Sequence, residues 1–288
     1  MHHIVVVGAG QAGSTLVVKL RNLGFDGPIT LIGQEPVPPY QRPPLSKGYL
    51  LGEMQLSRLF LKPESFYEAQ NIDLRLGSAV TEIDPVAKTL VLGNDMIHYD
   101  QLAITTGSAP RRLPTAIGGD LQGVHVVRSL ADVDAMAADF SEDKHALIVG
   151  GGYIGLEAAA VARKRGVRVT LVEMADRILG RVAARETSDY FRALHRAHGV
   201  DILEGLGLER LLGDSRVRAA RFDDGREIDV DFVVAGVGIT PDTALANSAG
   251  LVIENGIRTD AQGRTSDASI WAAGDCTSFP YKGTRIRL

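Results

Sequence analysis

Residues 4–13 read Ile4-Val5-Val6-Val7-Gly8-Ala9-Gly10-Gln11-Ala12-Gly13, and this stretch decides the fold. Four β-branched residues in a row suit a strand buried on both faces of a parallel sheet. Gly8 permits the tight turn after the strand. Gly10, with no side chain, lets a pyrophosphate approach the backbone, and Gly13 lets the next helix pack close to the strand. From about Ala12 to Leu23, Leu16, Val17 and Leu20 form a helical apolar stripe, and Gly24 stands where a C-terminal cap is expected. The N-terminus of such a helix offers unpaired amides and a positive dipole end to phosphates. Ile29–Ile32 is the next strand, so the segment is one βαβ unit with a right-handed crossover. Glu35 lies 22 residues past Gly13, near the ~20 expected of a ribose-holding carboxylate.

The pattern restarts at an offset of 142 residues (150 − 8). Ala146–Val149 reads as a strand, Gly150-Gly151-Gly152-Tyr153-Ile154-Gly155 as the Gly-rich turn, Leu156–Arg165 as a helix and Val167–Val172 as a strand ending at Glu173. A carboxylate there accepts hydrogen bonds from both hydroxyls of an unmodified ribose and repels a 2′-phosphate. One such turn is a weak signal; two in one chain, each in the right context, are specific. Pro36, Pro38, Pro39, Pro43 and Pro44 make residues 36–44 a stiff irregular loop. Ile72–Leu92 reads as short alternating strands, expected antiparallel. Asp223-Asp224-Gly225 marks a hairpin turn, and Leu102–Thr105, Phe232–Ala235 and Ile270–Ala272 read as buried strands. The expected fold class is α/β, with two Rossmann-like dinucleotide-binding domains, each of three layers with a small antiparallel sheet. A length of 288 residues agrees with two domains at ~150 residues each.

Composition narrows the function classes. With 31 Lys and Arg against 35 Asp and Glu, the net charge is −4. No nucleic-acid partner is expected, because such binders normally carry a basic excess. Cys276 is the one cysteine. It allows no internal disulfide, no CxxC dithiol and no zinc ligand set, so no metal is expected and a reducing cytoplasm is the natural compartment. His2 and His3 read as a frayed terminus. The chain runs straight into its first strand, so no signal peptide is expected, and no apolar stretch reaches the ~20 residues of a membrane span.

One further segment carries a resemblance. Pro39-Tyr40-Gln41-Arg42-Pro43-Pro44-Leu45-Ser46-Lys47 is its most specific piece. It is supported by Thr105-Thr106-Gly107, Gly150 to Glu157, Gly236-Val237-Gly238-Ile239-Thr240-Pro241 and Trp271-Ala272-Ala273-Gly274-Asp275-Cys276. The chain resembles, over essentially its whole length, the FAD-containing, NADH-dependent ferredoxin reductases that serve bacterial oxygenases. The resemblance implies cytoplasmic electron transfer by a flavoprotein oxidoreductase. NADH passes a hydride to FAD, which then gives single electrons to a small iron–sulfur protein of the ferredoxin or rubredoxin type. It implies a discontinuous FAD domain (residues 1–110 and 238–288) with the NAD domain (residues 111–237) inserted. It also implies that the family's C-terminal interface domain, which comes after the equivalent of Arg285 to Leu288, is absent here.

The resemblance also assigns roles. Gly8, Gly10, Ala12 and Gly13 surround the FAD pyrophosphate, and Gln34 and Glu35 occupy the adenosine-ribose position. Arg42 and Lys47 stand on the flavin side, Val80 on the adenine side and Arg128 beside the domain linker. Thr106, Gly107, Gly238, Gly274 and Asp275 complete the FAD set, with Asp275 on a ribityl hydroxyl. Gly150, Gly152, Tyr153, Ile154, Gly155 and Glu173 are the NAD set. Lys47 and Glu157 are the candidate catalytic residues, near the reactive flavin face and the nicotinamide carboxamide. On the residues alone, Arg42 and Lys47 read as solvated charges, Val80 as a strand residue and Cys276 as a small buried filler. Two rival functions stay open. An NADH oxidase-like flavoprotein or dithiol reductase would need a redox cysteine facing the flavin, and residues 33–62 contain none. A truncated, non-catalytic FAD- and NAD-binding module needs nothing further.

Overall fold

A computed structural model of the protein describes residues 2–287. The chain divides into two compact units, residues 2–41, 57–109 and 240–287 in the first and residues 42–56 and 110–239 in the second. The Pro-rich motif is thus divided between them. Residues 42–56, expected with the first domain, pack with the second unit.

The first unit is built on a five-stranded parallel sheet, in the order Ile270–Ala272, Gln101–Ile104, Ile4–Val7, Ile29–Ile32, Ile72–Arg75. The strand that feeds the first Gly-rich turn is therefore central. Its side chains alternate between two cores, as the strand period requires. Val6 joins Val17, Ile29, Leu31 and Tyr67 on the side of the helices Gln11–Asn22 and Glu64–Ala69. Val5 and Val7 join Ile83, Leu90, Leu92 and Ile97, which belong to an antiparallel sheet of Val80–Asp84, Thr89–Leu92 and Asp95–His98. Ile72–Arg75 corrects an expectation. It pairs parallel with Ile29–Ile32, with Ile72 opposite Ile29, and takes no place in the antiparallel sheet that begins at Val80. It is an edge strand with only Ile72 buried, so its sequence alternates as a half-exposed antiparallel strand would.

The second unit repeats the plan. Its five parallel strands run Val200–Glu204, Arg168–Glu173, His145–Val149, Phe232–Ala235, Val124–His125. The strand before the second Gly-rich turn is again central and is buried at every position. Leu147 and Val149 pack with Phe222, Leu211 and Ala220 of the antiparallel sheet Leu208–Leu212, Ala219–Phe222, Glu227–Asp229. Asp223-Asp224-Gly225 makes the turn of its second hairpin. Two helices of this unit went unread in the sequence. Leu130–Ala137 opens on a capping box, in which Ser129 Oγ accepts from the Asp132 amide and Asp132 accepts from the Ser129 amide at 2.8 Å. Arg185–Ala197 buries Ser188 and His195.

Candidate functional site

The three glycines of the GxGxxG pattern in each turn separate by what demands them. A Cβ on Gly8 would lie 2.3 Å from the Thr105 carbonyl oxygen, and one on Gly13 would lie 2.1 Å from the Gly8 oxygen. Both are required by the fold itself. Gly8 also has φ +112°, a region that favours glycine. Gly10 differs, since a Cβ there meets no described atom within 4 Å and its φ is an ordinary −96°. Neither packing nor backbone asks for glycine at that position. The helix Gln11–Asn22 begins there with no side chain capping its amides. Open space in front of uncapped helix amides is what a dinucleotide pyrophosphate needs, so the residues present fit FAD.

Other residues of the first unit converge on the same carboxyl-terminal sheet edge. Gly33 comes directly after Ile32, and its Cβ position is 2.6 Å from Ala9 Cβ. This puts Gln34 and Glu35 beside the turn. Gln34 is exposed, whereas Glu35 Oε2 accepts a 2.6 Å hydrogen bond from the Tyr40 hydroxyl. Val80 is reached through Ser78, whose amide donates to the Gly33 oxygen at 3.0 Å. Thr106 donates to the Asp242 oxygen at 2.7 Å, and the Gly107 oxygen accepts from the Asp242 amide. Gly274, at φ +86°, has its Cβ position 3.1 Å from Ala12 Cβ, so Gly274 and Asp275 adjoin the first helical turn. Asp275 Oδ2 accepts from Ser108 Oγ at 3.0 Å. Cys276 is fully buried against the Ile104 and Ala273 oxygens, and burial pushes its thiol pKa up. That suits the filler reading, because a thiol kept protonated is a poor nucleophile.

The second unit presents the same logic. A Cβ on Gly150 would meet the Gly236 oxygen at 2.6 Å and one on Gly155 the Gly150 oxygen at 2.0 Å, but one on Gly152 meets no described atom within 4 Å. Gly152, with φ −79°, begins the uncapped helix Tyr153–Lys164, and the side chains of Tyr153 and Ile154 stand exposed on its first turn. Glu173 ends its strand with both oxygens anchored. Oε2 accepts from the Gly151 amide at 2.7 Å and Oε1 from the Ala175 amide at 2.8 Å. Gly238, expected with the FAD set, packs in this unit instead; at φ +106° its oxygen accepts from the Arg111 amide. These residues fit a nicotinamide dinucleotide.

Arg42, Lys47, Arg128 and Glu157 also lie in this unit. Arg42 donates to the Arg128 oxygen at 2.6 Å. Lys47 Nζ is 2.7 Å from Glu157 Oε2, and Ser46 Oγ donates to the same oxygen at 2.5 Å. The two candidate catalytic residues are thus brought together as an ion pair. Sequence reasoning missed Ser46, Ser108 and Tyr40, the residues that hold Glu157, Asp275 and Glu35. Ser46 and Tyr40 lie inside the Pro-rich motif itself, which was the available signal. Among the described residues no group of three or more His, Cys, Asp or Glu side chains could hold a metal ion. No helix among them is long and apolar enough to cross a membrane.

The family model described as pyridine nucleotide-disulphide oxidoreductase matches residues 2–287. The chain is 43% identical to a ferredoxin–NAD(P)(+) reductase of Sphingomonas sp, over 100% of this chain and 70% of that protein. It is 39% identical to a rubredoxin–NAD(+) reductase of Pseudomonas putida, over 99% of this chain and 75% of the relative. The chain of a covalent putidaredoxin reductase–putidaredoxin complex superposes with a TM-score of 0.96 at 37% identity, covering 100% of this chain and 71% of that one. With a family model matched over nearly every residue and two duplicated nucleotide folds to carry it, this chain belongs to the pyridine nucleotide-disulphide oxidoreductase family.

Proposed function

We propose that this protein is an FAD-dependent oxidoreductase that passes electrons from NADH to a small iron–sulfur protein of the ferredoxin or rubredoxin type, in the service of an oxygenase. The observation that carries the reading is the pair of unconstrained glycines, Gly10 and Gly152, each facing open space before an uncapped helix. A fold that needed only packing would have no use for them. The reductases among its relatives support the choice of reaction. In this reading FAD belongs to residues 1–110 and 238–288 and the nicotinamide dinucleotide to residues 111–237, while segment 42–56 packs with the second unit.

When bound, the flavin supplies the redox chemistry, taking two electrons together and releasing them singly. The chain's own residues bind and orient. The helix amides after Gly10 and Gly152 meet the pyrophosphates. Glu35, Asp275 and Glu173 accept hydrogen bonds from sugar hydroxyls, while Gln34, Val80, Thr106, Gly107 and Gly274 line the FAD site. Arg42, Lys47 and Arg128 supply positive charge for the flavin side, and Glu157 faces the carboxamide. A cytoplasmic location accords with a single buried thiol. An anaerobic NADH titration of the FAD-reconstituted protein tests the reading. Flavin absorbance should bleach with NADH and return on adding an oxidised ferredoxin. Protein that holds FAD but is not reduced by NADH would leave a non-catalytic binding module.

A further inference from the structure

We propose that Ser46 is a positioning residue for nicotinamide recognition. It locks the Glu157 carboxylate by one oxygen and so presents the other to the amide group of the carboxamide. The inference rests on the placement of Glu157 in the proposed function. Both partners of the carboxylate, Ser46 Oγ at 2.5 Å and Lys47 Nζ at 2.7 Å, converge on Oε2. Oε1 accepts no hydrogen bond from any described residue, and the Glu157 side chain keeps 28% of its surface exposed.

The two partners do different work. The last torsion of a glutamate is broad, so the side chain alone does not fix the plane of its carboxylate. An ammonium is a rotatable point charge and imposes little direction. Lys47 is half exposed and also donates to the Pro43 oxygen at 3.1 Å. Ser46 is 2% exposed and sits between the buried Leu45 and the rest of the turn Leu45–Tyr49. A buried hydroxyl on a short side chain is the one directional, immobile donor at this carboxylate. It makes Oε2 the anchored oxygen and Oε1 the oxygen that accepts from an incoming N–H.

The test uses the FAD-reconstituted chain and two probes, NAD+ and 3-acetylpyridine adenine dinucleotide. The second has a methyl group where NAD+ has the amide nitrogen, so it cannot donate to Oε1. Dissociation constants are measured by calorimetry, with circular dichroism and the unfolding midpoint checking each variant. Wild type should bind NAD+ the tighter of the two. Ser46→Ala should weaken NAD+ about tenfold, the size expected of one hydrogen bond to a charged group. It should leave the acetylpyridine probe within about twofold. In a Glu157→Leu background, Ser46→Ala should change neither constant. Wild type that does not discriminate between the probes would overturn the placement of Glu157, and the inference with it. Discrimination that survives Ser46→Ala, or equal weakening of both probes, would overturn the role of Ser46 while leaving Glu157 in place.

Discussion

Glu173 should set the choice between NADH and NADPH, and the geometry allows the size of the effect to be worked out. Its oxygens are pinned by the Gly151 and Ala175 amides at 2.7 and 2.8 Å, so the charge cannot swing away from a bound ribose. A 2′-phosphate would bring a second negative charge to ~4 Å. At an effective dielectric of ~20 two unit charges repel there by about 4 kcal/mol, and salt and solvent reduce that. Half of it still exceeds one decade, since ~1.4 kcal/mol is tenfold. Arg177, the cation nearest in sequence, is held by the Ser188 hydroxyl and the Ala183 and Gly180 oxygens and forms no ion pair with Glu173. Anaerobic flavin reduction should therefore favour NADH over NADPH by at least tenfold in kcat/KM. Glu173→Gln should narrow the gap mainly by admitting NADPH. Because an amide cannot accept at both of its terminal atoms, the same change should also loosen one anchoring hydrogen bond and raise the KM for NADH. Equal rates with the two dinucleotides in the unmodified protein would refute the argument.

Binding and folding ask for different glycines. Gly10→Val, with open space at its Cβ, should fold with an unchanged unfolding midpoint and elute without FAD. Gly13→Ala, whose Cβ meets the Gly8 oxygen at 2.1 Å, should lower stability by roughly 1–3 kcal/mol; the reverse pattern would place the pyrophosphate elsewhere. Lys47→Met should lower the flavin reduction potential and slow reduction by NADH, because the cation favours the anionic reduced state. An unchanged potential would return the Lys47–Glu157 pair to the class of exposed ion pairs that contribute under about 1 kcal/mol. Asp139 should contribute to the acid stability of the second unit. Burial raises its pKa, but hydrogen bonds from His125 and Lys144 and the charge of Arg216 outweigh this and hold it below the ordinary value. A depressed carboxyl stabilises the fold above the unfolded pKa of ~3.9 and ceases to as pH falls through the folded value. Asp139→Asn should therefore cost about 2 kcal/mol at pH 7 in chemical denaturation. The gap from wild type should narrow progressively as the pH falls below ~3.9, and a gap that does not narrow at all would disprove the assignment.

Much of this protein was written locally in its chain. The Gly-rich turns could be read because the glycines that answer their demands fall within six residues, although the carbonyl that crowds Gly8 belongs to the distant Thr105. The strands Ile4–Val7, Ile29–Ile32 and Phe232–Ala235 were legible because inner parallel strands are apolar on both faces. Their order within each sheet was decided by the tertiary structure. What the chain could not state locally was partnership at long range. Ile72–Arg75 has an alternating sequence that suits either kind of pairing, and only the free edge of Ile29–Ile32 made it parallel. Ser46 finds Glu157 across 111 residues and Ser108 finds Asp275 across 167. The energy of each contact depends on burial that exists only once the sheets have closed. The packing of residues 42–56 on the second unit is of the same kind. A Pro-rich loop carries no periodicity to say which surface it will cover, and that choice is made by the helix and strands already in place.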